Sequence, residues 1–232
     1  MVFRAAFVMA LLACAAVAVA VSGAAQGPEL RGQRGMAEIA CPVLSTLERD
    51  DVLKGKIVMR ELANPSRKGR TYEAVGILPA TLEEALAIIT DYRRYAEFMP
   101  RVERVVVTDE SVSVSLVEQY LKLPLGMHRR YRLRYSLLRG EAGFRIEWVK
   151  VAWPEVPLSQ TVAETSGYWQ VARFAGGQLL ALYHVYTDPG RVPLGMKGLA
   201  LSLSKHEIPD VIEKVRRRLG APRPVKDGPS PA

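Results

Sequence analysis

Two cysteines, Cys14 and Cys41, are all the thiol chemistry in 232 residues, so neither a disulfide framework nor a CxxC-type zinc site can be built. Histidine is as scarce. His128, His184 and His206 stand far apart with no HxH or HxxxH spacing, which removes the usual metal chelates. GxGxxG and GxxxxGK[ST] loops are absent, so phosphate-cradling nucleotide sites are not signalled. There is no G-x-S-x-G elbow either, and Ser166-Gly167 falls inside a strand pattern, so the chain offers no nucleophile. A strong excess of one charge is also missing: Lys+Arg 32 against Asp+Glu 24 leaves a net +8, spread along the chain. That balance permits contact with anionic surfaces without marking a nucleic-acid partner. What remains, 49% hydrophobic and 24% charged residues, is the composition of a globular chain with a sizeable core, which excludes disorder and coiled coil.

The one long apolar run lies at the start. Arg4 precedes an unbroken stretch of small apolar residues from Ala5 to Val21, followed by Ser22-Gly23-Ala24-Ala25-Gln26. This is the layout of a secretory signal, with cleavage expected near Ala24 or Ala25 and a secreted, periplasmic location. Seventeen residues of mostly Ala and Val are short for a membrane anchor. Lipid attachment at Cys14 fits poorly, because seven more apolar residues follow it. Without residues 1–25 the chain keeps 31 basic and 24 acidic residues and Cys41 alone. That lone thiol is expected to be buried and is given no role.

Residues 26–42 lack periodicity and read as a flexible tether, 43–220 as the folded domain, and the Pro-rich 221–232 as a disordered tail. Leu44, Leu47 and Leu53 allow a short helix ended by Lys54-Gly55. Lys56 to Leu62 and Arg70 to Leu78 read as two strands joined by the turn-rich segment from Asn64 to Gly69. Thr81 and Glu84 form a capping box, and Leu82, Ala85, Leu86 and Ile89 give the helix behind it one apolar face. From Val102 the period changes to two. Val112, Val114 and Leu116 alternate with serines; Tyr131, Leu133 and Tyr135 with Arg130, Arg132 and Arg134; Phe144, Ile146 and Trp148 with Arg145 and Glu147. Thr161 to Phe174 and Leu179 to Thr187 add two strands through a Gly176-Gly177 turn. Half-wet strands are the antiparallel pattern. Ile208, Val211, Ile212, Val215 and Leu219 then mark a helix that Pro209 either starts or kinks, in the second case from near Gly195. The order is strand, strand, helix pair, about five antiparallel strands and a long helix, the only element left to cover the concave face of a curved sheet.

The segment Asp91-Tyr92-Arg93-Arg94-Tyr95-Ala96-Glu97-Phe98-Met99-Pro100-Arg101-Val102 resembles the signature of START-like proteins, the polyketide cyclase, coenzyme Q-binding and lipid-transfer superfamily called SRPBCC. Gly167-Tyr168-Trp169-Gln170-Val171, the Gly-Gly turn, the strand to Tyr186, Asp188-Pro189-Gly190 and the closing helix follow in that family's order, so the likeness runs from about Leu53 to Leu219. It implies an α+β helix-grip (START/Bet v 1-like) fold with a cavity between sheet and C-terminal helix for a lipid, quinone, sterol or polyketide. Coenzyme Q-binding and ribosome-association members act inside cells or organelles, so a secreted chain does not inherit those roles. Within the segment, Tyr92, Tyr95, Phe98 and Met99 anchor a short second helix that Pro100 stops.

On the resemblance and the strand alternation together, Tyr131, Leu133, Tyr135, Trp148, Trp169 and His184 are the candidate ligand contacts. Mid-strand His184 points into the cavity or is a satisfied core histidine. Arg130, Arg132 and Arg134 form an anion ladder or, with Tyr131, Leu133 and Tyr135 on the dry side, a solvated convex face that Glu147 and Glu164 share. Three connections are greasy for loops, Leu121 to Met127, Trp153 to Leu158 and Val192 to Lys197. Gathered at one mouth they would make a gate or a membrane-docking rim, with Lys122 and Lys197 meeting headgroups; otherwise they close the core. The expected function is capture of one hydrophobic molecule or lipid in a cavity of roughly 300 to 1,000 Å³, with no cofactor, no metal and no nucleic acid. Two alternatives stand beside it: an aromatase or cyclase using the same cavity with His184 or a tyrosine as acid or base, and a ligand-free interaction module of the cell envelope.

Overall fold

The computed structural model describes residues 39–64, 68–123, 126–190 and 197–220. The expected leader, the tether before residue 39, the apolar connection from Val192 to Met196 and the Pro-rich tail lie outside the described residues, as do the side chains of Lys197 and His206. Among the described residues no helix is long and apolar enough to cross a membrane.

The chain starts with helix α1 (Thr46–Leu53), then the hairpin β1 (Val58–Leu62) and β2 (Arg70–Leu78). Helix α2 (Leu82–Ile89) follows. A 3-10 turn at Tyr92–Arg94 runs into the single-turn helix α3 (Tyr95–Phe98). Six strands come next: β3 (Val102–Glu110), β4 (Val114–Lys122), β5 (His128–Arg139), β6 (Gly143–Val151), β7 (Glu164–Arg173) and β8 (Leu179–Asp188). Helix α4 (Lys197–Gly220) closes the fold. All eight strands form one antiparallel sheet in the order β1-β2-β8-β7-β6-β5-β4-β3. The N-terminal hairpin therefore pairs with the last strand, and α2 and α3 carry the chain across to the opposite edge. This is the helix-grip α+β architecture, with six strands after the helix pair where the alternation suggested about five.

Each element has a local cause. Thr81 Oγ1 accepts the Glu84 amide and the Glu84 carboxylate accepts the Thr81 amide, so α2 opens on the expected capping box. Ser45 and Glu48 form a second such box at α1. The apolar face assigned to α1 needs correction: Leu47 and Leu53 are exposed, and Val52 is the residue that reaches the sheet. Gly176 and Gly177 take φ of 67° and 75° at the β7–β8 turn, the left-handed region where side chains are strained. Helix α4 runs unbroken through Pro209.

The sheet is covered on its concave face and, over β2 and β8, on its outer face as well. On the concave side α2, Tyr92 and Tyr95 and the buried stripe Ile208, Val211, Ile212 and Val215 of α4 pack against alternate residues of β2, β8 and β5 to β7. On the outer side Val52 of α1 seals a smaller cluster with Val75, Ile77, Leu180 and Leu182. Part of the expected tether belongs to the domain: Ile39 is buried, and the Ala40 carbonyl accepts Gln170 Nε2 at 2.7 Å. Cys41 is exposed rather than buried, because the segment crosses the sheet's outer surface.

Candidate functional site

Between the concave face and α4 lies a cavity of about 230 Å³, somewhat below the expected range. Strand alternation builds its walls. Tyr131, Leu133 and Tyr135 enter from β5, Trp148 from β6, Trp169 from β7, Tyr183 and Val185 from β8, and Ile208 and Val211 from α4. The aromatic rings form a continuous wall. Centroids run 4.4 Å from Tyr92 to Tyr135, 6.0 Å on to Trp148, 5.4 Å to Tyr183 and 4.8 Å to Trp169.

The floor is deeply buried, with Trp169 at 2% exposure and Leu133 at 3%. The mouth lies where Met99 to Val102, the Leu121, Leu123 and Met127 end of the β4–β5 hairpin, and Pro189 after β8 converge. There Arg101 Nε meets Glu207 Oε1 at 2.6 Å, joining the start of β3 to α4. Arg101 holds φ of 61°, a left-handed conformation uncommon for a residue with a side chain.

Polar groups are few and placed. Gln119 Nε2 donates to Tyr135 Oη at 3.0 Å inside the cavity. Arg129, only 9% exposed, lines the mouth end and donates to the His128 carbonyl. Thr165 and Thr187 share a hydrogen bond at 3.2 Å on the β7–β8 side. Burial pushes the hydroxyls of Tyr131, Tyr135 and Tyr183 up from the ordinary tyrosine value, since a phenolate loses its hydration there. These groups stay protonated and serve as hydrogen-bond partners, not as bases. Among the described residues no cluster of His, Cys, Asp and Glu could hold a metal ion.

Of the six candidate contacts, the structure brings Tyr131, Leu133, Tyr135, Trp148 and Trp169 together around the cavity. His184 is not with them. It sits on the outer face, Nδ1 3.0 Å from Glu73 Oε1, with its ring 4.6 Å from that of Tyr168. The histidine pulls the Glu73 carboxyl below its usual value, helped by Arg60. The phase error has a physical source. Leu179 to Tyr183 is apolar at every position because the outer side of β8 is covered by α1, so alternation could not tell in from out. The same covering hid Tyr183 and Val185, which do line the cavity. A related inversion affects β4: Ser115, Val117 and Gln119 point inward and are buried, while Val112 stands 93% exposed before the strand begins. Only Val117 among those three carried an apolar signal. Arg129, in phase with Tyr131 and Leu133, and Glu207, next to Ile208, line the cavity without the apolar character by which its other walls were found.

A family model described as polyketide cyclase / dehydrase and lipid transport matches residues 78–197. Among solved structures, a STAR-related lipid transfer protein from Xanthomonas axonopodis superposes with a TM-score of 0.63 at 14% identity. The match covers 71% of this chain and 94% of that one. Human STARD10 gives 0.60 at 15% identity over 70% and 69% of the two chains, and human StAR-related lipid transfer protein 5 gives 0.59 at 12% over 72% and 82%. No curated protein matches the sequence.

Proposed function

Because the chain belongs to the polyketide cyclase / dehydrase and lipid transport family, matched over more than half its length, we propose that it binds one hydrophobic molecule, a lipid or quinone, under α4. The observation that carries this reading is the hollow itself: about 230 Å³ of space walled by aromatic and aliphatic side chains. That volume receives a chain or a ring system, leaving the rest of a longer molecule at the mouth. The driving force is desolvation, at about 25 cal/mol for each Å² of apolar surface removed from water. Gln119, Arg129 and the tyrosine hydroxyls orient the guest.

Binding is favoured over acid–base catalysis by the titratable groups present. Of the two kinds of group weighed for a cyclase, the buried tyrosines are held protonated and so are not bases, and His184 faces away; Glu207 is tied to Arg101. A solid interaction module is disfavoured by the same hollow. The reading extends to a carrier that is secreted to the periplasm by the Arg4 and Ala5 to Val21 leader and exchanges its cargo at a membrane through the apolar connections. Mass spectrometry of lipid extracted from protein purified from its native envelope tests it. One lipid or quinone per chain is the expected result. An empty protein that takes up no fatty acid, quinone or phospholipid would falsify it.

A further inference from the structure

The outer face of β3, β4 and β5 carries arginines that the cavity does not use. Arg104, Tyr120 and Arg130 are cross-strand partners in one row, with Glu118 and Arg132 paired in the next. Trp153, from the connection after β6, lies on this row. Its ring meets Tyr120 edge-on at 6.0 Å, and the guanidinium carbons of Arg132 and Arg130 lie 4.8 and 5.7 Å from its centroid. Arg104 stacks on Tyr120 at 3.7 Å. With Arg134 this face carries four guanidiniums; Glu118 takes Arg132 at 2.8 Å, and Glu103 at the start of β3 takes His128 at 3.3 Å.

The remaining cations are under-used. Arg104 and Arg134 make no ion pair or side-chain hydrogen bond among the described residues. Arg130 holds only Gln160, at 3.2 Å, and its Nε is buried without a partner. A buried donor without an acceptor is unfavourable, so Arg130 gains by meeting an oxyanion. Aromatic planes hold cations by their faces and leave the N–H edges free for oxyanions.

Position decides which oxyanion. Tyr120 and Arg130 alternate along their strands with Leu121 and Arg129, which line the cavity mouth. Stacked arginines, a tyrosine and a tryptophan beside the apolar end of the β4–β5 hairpin make up the composition of a bilayer interface, where amphipathic rings sit at headgroup depth and cations reach phosphates. We infer that this face docks on membranes containing anionic phospholipid, its guanidiniums taking lipid phosphates so that the mouth opens toward the bilayer. The inference rests on the cavity being a lipid site, and its test is read separately from that one.

The test is co-sedimentation of the full chain with vesicles of phosphatidylcholine alone or with 30% phosphatidylglycerol, at low and high salt. Wild-type protein should pellet with the anionic vesicles only, and lose them at high salt. Arg104→Gln with Arg134→Gln should weaken that binding about thirtyfold, from about fivefold for each basic group near an anionic surface. The control Lys54→Gln with Arg173→Gln removes the same charge elsewhere and should bind like wild type. Lipid content measured on the same samples separates the two readings: loss of vesicle binding with the cavity still filled supports the docking face. Equal loss in the control, equal binding to neutral vesicles, or equally tight binding to single-stranded RNA overturns it. Wild-type protein with a filled cavity that binds neither kind of vesicle overturns it while leaving the cavity reading intact.

Discussion

Gly167 is where the cavity wall is most sensitive to one carbon atom. It lies on β7 opposite Trp148 of β6 and Val185 of β8, and its lack of a side chain lets the indole lie flat across it. A Cβ at this position would overlap the His184 carbonyl oxygen and Trp148 Cζ2 and come within 2.9 Å of Trp148 Cε2. Gly167→Ala therefore forces the indole off the sheet and β8 outward together. The ring cannot move sideways freely, because Tyr135 stands 6.0 Å and Tyr183 5.4 Å away; it moves into the hollow. Overpacking of this kind costs about 1 to 3 kcal/mol, which in a domain of this size lowers Tm by roughly 3 to 10 °C. Calorimetry gives the first readout and lipid content the second, and both should fall. Adding Trp148→Leu should recover part of the Tm, since half of the collision is with the ring. A Gly167→Ala protein with unchanged Tm and full lipid content would show that the indole does not seat where the wall requires it.

Three further outcomes follow from the same geometry. Glu207→Gln removes the Arg101 latch; an ion pair 40% and 24% exposed contributes about 0.2 to 1 kcal/mol, so stopped-flow release of a bound fluorescent fatty acid should quicken up to about fivefold, and a rate indifferent to both the variant and salt removes the latch. His184→Ala should leave lipid content untouched, while losing the Glu73 contact lowers stability by about 1 kcal/mol; a fall in lipid content would put His184 back at the site. Hydrogen bonds from Arg60 hold the Glu48 carboxyl down at about 2 from 4.5. A carboxylate so lowered stabilises the fold fully above about pH 4.5 and progressively loses that contribution as the pH falls toward 2. Arg60→Gln should thus be less stable than wild type at pH 7, with the gap in urea midpoints closing between pH 5 and pH 2; a gap that widens there contradicts the pairing.

What could be read from the sequence depended on whether an element has one covered face or two. Helix α2 was legible because its capping box and its Leu82, Ala85, Leu86, Ile89 stripe agree. Strands β5 and β6 were legible because arginines and glutamates mark their outer side. Strand β8 was not, because α1 buries Leu180 and Leu182 on the side where solvent would have demanded polar residues. Strand β4 misled for the opposite reason: Ser115 and Gln119 face inward, where a hydrophobic pattern expects none. Only the Gln119 error lies at the site, where a polar anchor replaces ordinary core; the β8 error arises on the opposite face, where α1 adds a second cover.

The hollow itself follows from how α4 is seated. The helix leans on the β2 edge of the sheet, where Gly76 offers no side chain: a Cβ there would come 2.9 Å from Arg216 Nη2 and 3.2 Å from Ile212 Cγ2. Arg216 fixes that seat, donating to the Ile77 carbonyl at 2.7 Å and the Gly55 carbonyl at 3.0 Å. Across the sheet, β5 and β6 present Tyr131, Leu133, Tyr135 and Trp148, whose bulk holds the helix away on that side. A helix seated close to β2, with large rings between it and β5 and β6, leaves the space those rings line, and the mouth opens by the β4–β5 hairpin. The ligand space is thus set by an asymmetry between a glycine on one strand and large rings on others. No single residue's apolar pattern carries that asymmetry, which is why the fold could be read strand by strand while the size of its cavity could not.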